Sequence, residues 1–261
     1  MIILNIQHWE GDKAQAMALL RLMADLEPVK RTNAYVLVTC RFDGTFDEES
    51  IAYASSKFDI RKFRTTRKAT GWPNGPNQMA GESYLHCVEG HRKGLFPNAE
   101  VVMFIEADCV PLRKTWISEL YEEYKQSGKM ITGCWLKKLD AGVEHVNGNC
   151  LMSINFWKRC KGMFWPDIKG GWDATLRHHM LPVAAPSKLI WSDYQLGMAH
   201  NPWKGCSYLW QPKRFNDPSN AFYGQDLYPV WFHGVKVMDG LECVRNRLLI
   251  NSTNEPQDPA N

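Results

Sequence analysis

Unbroken apolar runs alternate along the chain with stretches of helical period. The runs at 2–6, 35–40 and 101–105 are rich in β-branched and bulky residues, as expected of strands buried on both faces. Between the first two, Asp12 stands where a helix N-cap belongs; Ala16, Leu19, Leu20, Met23 and Leu26 follow on one face, and Pro28 ends the helix. The pattern predicts a second helix over 47–57 and a third strand over 59–64. Turn-formers crowd 70–77 and open a helix predicted over 78–93, with Asn77 at its cap. An amphipathic helix over 115–127 carries Trp116, Leu120 and Tyr124 at helical spacing, and a strand over 130–136 follows. Asn147-Gly148-Asn149 then precedes a further apolar strand, 164–171 reads as a loop, and a helix starts at Asp173. A stretch without periodicity, 198–229, leads to a last strand over 230–236. The β-loop-α-β opening predicts an α/β fold, a doubly wound sheet flanked by helices, in a single domain over 1–247 with a polar tail over 248–261.

Composition narrows the class only slightly. The 261 residues suffice for a large core, and 44% apolar content with 11 tryptophans indicates a folded globular chain. A net charge of +3 falls short of the excess expected of a dedicated nucleic-acid binder. The eight cysteines include no Cys-x-x-Cys pair, which argues against a zinc site and for reduced, buried thiols. No signal peptide or membrane span is evident, so the expectation is a cytoplasmic protein with no membrane partner. The sequon Asn251-Ser252-Thr253 carries little weight without a secretion signal.

The candidate chemistry centres on 101–112, where the buried strand runs into Glu106 and Asp108 before Pro111. Ionised carboxylates leave water only when compensated, and a divalent cation suits two oxygen donors at a strand end. Ligands of open α/β sheets bind at the carboxyl ends of strands, which also places Gln7 to Trp9 at that edge. The glycine-rich 70–77 feeds a helix N-terminus, a weak signal for a bound phosphate or sugar. Asn147 and Asn149 could grip sugar hydroxyls or simply form an Asn-Gly turn. Asp173, at a helix start, serves equally as a base or a cap. His178 and His179 are adjacent on the expected helix and point too far apart to share one metal.

Three features in order, Glu106-Ala107-Asp108 at a strand end, Trp172-Asp173 at a helix start and Phe232-His233-Gly234-Val235-Lys236 late in the chain, resemble the GT-A glycosyltransferases. With Gly71-Trp72-Pro73-Asn74-Gly75-Pro76-Asn77 and the Asn-Gly strand, the set looks most like the small glycosyltransferases encoded by bacteriophages. The resemblance implies a GT-A-like mixed sheet and an enzyme using a nucleoside-diphosphate sugar, a UDP-sugar by expectation, with Mn²⁺ or Mg²⁺. It places the metal on Asp108 and His233, the catalytic base on Asp173, and the sugar hydroxyls on Asn147 and Asn149. Gln7, Trp72, Asn77, Glu106 and Lys236 are assigned to the nucleotide and its phosphates. Two departures stand out: Glu106 replaces the first Asp of the usual Asp-x-Asp, and His-Gly-x-Lys is tighter than the His-x-x-Gly-x-x-Lys of related members.

The resemblance also suggests hydroxymethylated pyrimidines in phage DNA as acceptor. The basic run Arg61, Lys62, Arg64, Arg67 and Lys68 would suit DNA, as would Trp203, Lys204, Tyr208, Trp210, Lys213 and Arg214 in the aperiodic stretch. Surface glycans and proteins are alternative acceptors. A nucleotidyltransferase would normally carry a glycine-rich loop with a basic residue directly after the first strand, and 7–12 lacks it. A catalytically silent sugar- or nucleic-acid-binding module is the non-enzymatic alternative.

Overall fold

The computed structural model describes residues 1–137, 142–160, 170–192 and 230–234. The expectations placed on 198–229, Lys236 and the tail over 248–261 lie outside the described residues, as does most of the loop expected over 164–171. Seven of the described strands make one mixed sheet in the order β3-β2-β1-β4-β7-β6-β8. The strands are β1 (Ile2–His8), β2 (Ala34–Cys40), β3 (Asp59–Arg64), β4 (Val101–Glu106), β6 (Ile131–Leu136), β7 (His145–Ser153) and β8 (Ala184–Pro186). The first four are parallel, β7 runs antiparallel between β4 and β6, and β8 is parallel to β6. A smaller sheet joins β5 (Cys109–Pro111), β10 (Trp231–His233) and β9 (Ile190–Ser192).

Alternation along the central strands divides the core in two. Leu4, Ile6, Val36, Val38, Met103 and Ile105 face a cluster with α1 (Lys13–Asp25), α2 (Glu48–Ser55) and α4 (Trp116–Ser127). Ile3, Leu37, Val102 and Phe104 face the other way, against α3 (Asn74–Arg92) and Trp172. Each such side chain contributes about 1.5–3 kcal/mol when fully buried. Both faces being covered explains why β1, β2 and β4 read as continuous apolar runs.

Three local expectations need correction. Asp12 precedes α1 but makes no side-chain capping bond; its Oδ1 instead accepts from the Trp9 N–H at 2.8 Å. Helix α3 begins at Asn74, so Asn77 lies within its first turn rather than at the cap. Pro76 does not prevent this, because an N–H missing from the first turn has no intrahelical acceptor to lose. Asn147-Gly148-Asn149 is neither a turn nor a lead-in but part of β7, at the irregularity where the β6–β7 register shifts between Val146 and Cys150. Its polar groups are tolerated there because they bond to one another and to neighbouring backbone, as described below. The six described cysteines are buried free thiols, as expected.

Candidate active site

Strands β2 and β4 lie on opposite sides of β1, so the chain reverses its winding between β1 and β4. That reversal opens a crevice at the carboxyl ends of the strands, where Gln7 stands in register with Glu106. Strand β4 ends at Glu106, and the chain passes through Ala107 and Asp108 directly into β5. Strand β10 pairs antiparallel with β5, bringing His233 opposite Cys109. Gly234 N–H donates to Asp108 O at 3.0 Å, and the Trp116 and Trp231 rings meet with centroids 4.7 Å apart, tying β10 to α4.

This register carries His233 Nε2 to 3.3 Å from Glu106 Oε2 and 3.4 Å from Asp108 Oδ1. One ligand atom from each of the three residues lies within 4.8 Å of the others. The His233 side chain is 6% exposed, Asp108 12% and Glu106 52%, so the cluster opens to solvent on the glutamate side. His233 Nδ1 meets Ser192 Oγ at 3.1 Å, while buried Nε2 has no hydrogen-bond partner among the described residues. Burial alone would lower the His233 pKa, but Asp108 and Glu106 outweigh it and push it up to about 10. Two carboxylates converging on a buried ring nitrogen that bonds to neither fit a shared divalent cation.

Asn149 holds the acidic turn from behind. It is 0% exposed, and its Oδ1 accepts from Glu106 N–H at 3.0 Å and from Cys109 Sγ–H at 2.9 Å. Its Nδ2 and backbone N–H both donate to Asn147 Oδ1, at 3.1 and 3.0 Å. Asn149, expected to position sugar hydroxyls, is thus committed to the protein; Asn147, 7% exposed, is the outer member of the pair.

Asp173 lies in α5 (Trp172–Thr175), a single turn rather than a long helix, followed by α6 (Arg177–Met180), which carries His178 and His179. Its Oδ1 accepts from Ala174 N–H and its Oδ2 from Gly148 N–H, each at 2.8 Å. A Cβ at Gly148 would sit 3.3 Å from the Trp172 ring, so the glycine lets α5 approach β7 closely. Burial raises the Asp173 pKa; His145 and the two N–H bonds oppose the rise and Glu106 adds to it.

The expected nucleotide residues are dispersed around the crevice. Gln7, 8% exposed, donates to Ser83 Oγ at 3.0 Å. Asn77, 1% exposed, donates to Gly170 O at 3.0 Å, linking α3 to the approach to Asp173, and its buried Oδ1 has no partner among the described residues. Trp72, 77% exposed, stands in the turn before α3. The basic run is partly neutralised: Arg61 pairs with Asp59, Lys62 with Glu48 at 2.8 Å, and Arg64 lies over the Phe46 ring.

Sequence reasoning missed two members of this neighbourhood. Asp12 is pushed up to about 6, chiefly by burial and further by Asp108 and Glu106, which places it in the acidic field. Its capping position already explained it, so the sequence held no further signal. His145 lies beside Asp173, at the first residue of β7.

No protein-family model matches the chain, and no curated protein matches it in sequence. Solved structures do share its fold. An active-site mutant of LgtC matches over 98% of both chains with a TM-score of 0.56 and 12% identity. The glycosyltransferase GlyE of Streptococcus pneumoniae matches over 99% of this chain and 65% of its own, with a TM-score of 0.50 and 10% identity. TarS of S. aureus has a TM-score of 0.50 and 10% identity over 71% of this chain. The chain spans 35% of that TarS structure and 57% of a shorter TarS fragment. The fold is accordingly the GT-A glycosyltransferase fold of these structures, one α/β domain whose mixed seven-stranded sheet is flanked by helices. Among the described residues, no helix is long and apolar enough to cross a membrane.

Proposed function

We propose that the chain is a metal-dependent glycosyltransferase that moves a sugar from a nucleoside-diphosphate donor to a hydroxyl acceptor. The observation that carries this reading is the convergence of Glu106, Asp108 and buried His233 Nε2 at the crevice of a GT-A sheet. A LgtC structure with TM-score 0.53 holds donor and acceptor sugar analogues, which supports the same class of reaction here. Two carboxylates with one imidazole favour Mn²⁺ over Mg²⁺, because magnesium prefers oxygen donors and water. Glu106, Asp108 and His233 would hold such a cation, which when bound would supply positive charge against the departing diphosphate.

The protein's own groups do the rest. Asp173 takes the proton of the acceptor hydroxyl, the role required if transfer inverts the anomeric centre. Asn147 is assigned to the sugar hydroxyls, and Gln7, Trp72 and Asn77 to the nucleotide side. Lys236, outside the described residues, is assigned to the diphosphate, and a UDP-sugar is the donor to try first. Hydroxymethylpyrimidine in phage DNA is one acceptor to test; surface glycans and proteins are others.

The test incubates the purified protein with a panel of nucleoside-diphosphate sugars and Mn²⁺, and measures released nucleoside diphosphate. Release that chelation abolishes, and that Asp108→Asn and His233→Ala lower by about 100-fold or more with the fold intact, is expected. Mn²⁺ binding without turnover of any donor, whatever the acceptor, would instead identify a silent binding module. DNA as acceptor predicts steeply salt-dependent DNA binding; a flat response between low and physiological salt refutes that acceptor alone.

A further inference from the structure

The first residue of β7, His145, is buried beside Asp173 and has no part in the cation cluster. Its Nδ1 lies 2.8 Å from Val143 O. A carbonyl oxygen only accepts, so Nδ1 carries a proton and Nε2 is the nitrogen left to face Asp173 Oδ2, at 3.7 Å. With Nδ1 protonated, a neutral ring would present the Nε2 lone pair to a carboxylate oxygen. The approach is attractive only if a proton lies between the two groups, and with Asp173 ionised that proton is on Nε2.

The other groups around Asp173 set what this charge has to do. From β4, Glu106 adds repulsion, and from β7 the buried Cys150 thiol lies within its field. The N–H groups of Gly148 and Ala174 supply the remaining stabilisation. In this partly buried position an ionised carboxylate is stabilised by a nearby positive charge, and the His145 ring is the group within reach that can carry one.

We propose that His145 is a positioning residue for Asp173, an imidazolium that keeps the carboxylate ionised and oriented so that it can accept the acceptor's proton. This rests on the glycosyl-transfer reading. In the step it supports, the acceptor O–H bond breaks and its proton passes to the Asp173 carboxylate. The acceptor oxygen then bonds to the anomeric carbon, the bond from that carbon to the diphosphate oxygen breaks, and the diphosphate leaves with the electron pair. His145 keeps its protons throughout.

The test reads Asp173 directly, by ¹³C NMR of labelled aspartate in the full chain. In His145→Gln the titration midpoint of Asp173 rises by about one pH unit or more, as expected when a nearby opposite charge is removed. An unmoved midpoint overturns the proposal. Should His145→Gln fail to fold, ¹⁵N spectra of the unsubstituted protein decide. Both ring nitrogens are protonated over the pH range in which Asp173 ionises, and a bare Nε2 there overturns the proposal. In turnover, His145→Gln moves the acid limb of the kcat profile upward by a similar interval and leaves the donor KM within about twofold. An equal loss at every pH with the limb unmoved means a purely structural role and overturns it too. Turnover without the NMR coupling refutes the role of His145 alone; coupling with no turnover from any donor refutes the base role together with the transferase reading.

Discussion

Replacing Asn149 by alanine tests whether the acidic turn depends on a buried support. The substitution removes the acceptor of Glu106 N–H at 3.0 Å and of the Cys109 thiol at 2.9 Å, and the donor to Asn147 Oδ1 at 3.1 Å. A buried N–H that loses its partner costs about 1–3 kcal/mol. The small cavity and the weaker bonds add to this, so about 3 kcal/mol is expected in all. For a chain of this size that lowers Tm by roughly 6–12 °C.

The more informative consequence concerns the cation. Asn149 pins both ends of the Glu106–Cys109 turn, so without it the two carboxylates and His233 no longer hold one geometry. A tenfold weaker Mn²⁺ affinity, about 1.4 kcal/mol, would shrink the Mn²⁺-induced rise in Tm by roughly 3–6 °C. Thermal unfolding with and without a fixed Mn²⁺ concentration, for the parent and for Asn149→Ala, reads both effects. An unchanged Tm and an unchanged Mn²⁺ shift, accompanied by a raised donor KM, would refute the reasoning and restore Asn149 as a sugar contact.

Two further substitutions separate the field of the site from its packing. Asp12 has a pKa raised from the ordinary 3.8 to about 6, so its contribution to stability is fully present below 3.8 and is lost as pH rises through 6. Asp12→Asn retains an oxygen for the Trp9 N–H and removes the carboxylate. Without added metal it should stabilise the chain by about 1–3 kcal/mol at pH 8, with the gain fading toward pH 4 in denaturant titrations; an equal gain at both pH values would contradict the assignment. Gly133→Ala should destabilise by about 1–3 kcal/mol, because a Cβ there would stand 2.6 Å from Cys150 Cβ and 2.8 Å from Val146 Cγ1 across the β6–β7 pair. Denaturation midpoints check this, and a change below about 0.5 kcal/mol would show that the two strands separate readily.

The central strands were legible because burial on both faces leaves an unbroken apolar run, and Glu106 and Asp108 were legible because they interrupt one. Partnerships were not. Periodicity reports which face a residue occupies, whereas contacts between distant segments depend on strand register. His233 meets Glu106 and Asp108 because Phe232 pairs with Val110 and Trp231 with Pro111, a register no local pattern specifies. Asn149 illustrates the same limit: an Asn-Gly-Asn sequence suits a turn, and only the placement of β7 beside β4 makes it a support for the acidic turn. His145 carries no local signal at all, since its partner lies in a separate helix.

That dependence on register bears on how the site holds its charge. Two carboxylates at one strand end repel each other, and a turn free to relax would separate them. Here Asn149 fixes the amide of Glu106, Gly234 N–H fixes the carbonyl of Asp108, and Cys109 is held from both sides, by Asn149 and by pairing with His233. The negative field of the pair is therefore retained in the folded chain: it raises the His233 pKa and adds to the burial that raises the Asp12 pKa. A cation held between Glu106, Asp108 and His233 would relieve it, and its affinity would then depend on β7 and β10, which hold the turn, as well as on the three residues that would bind it.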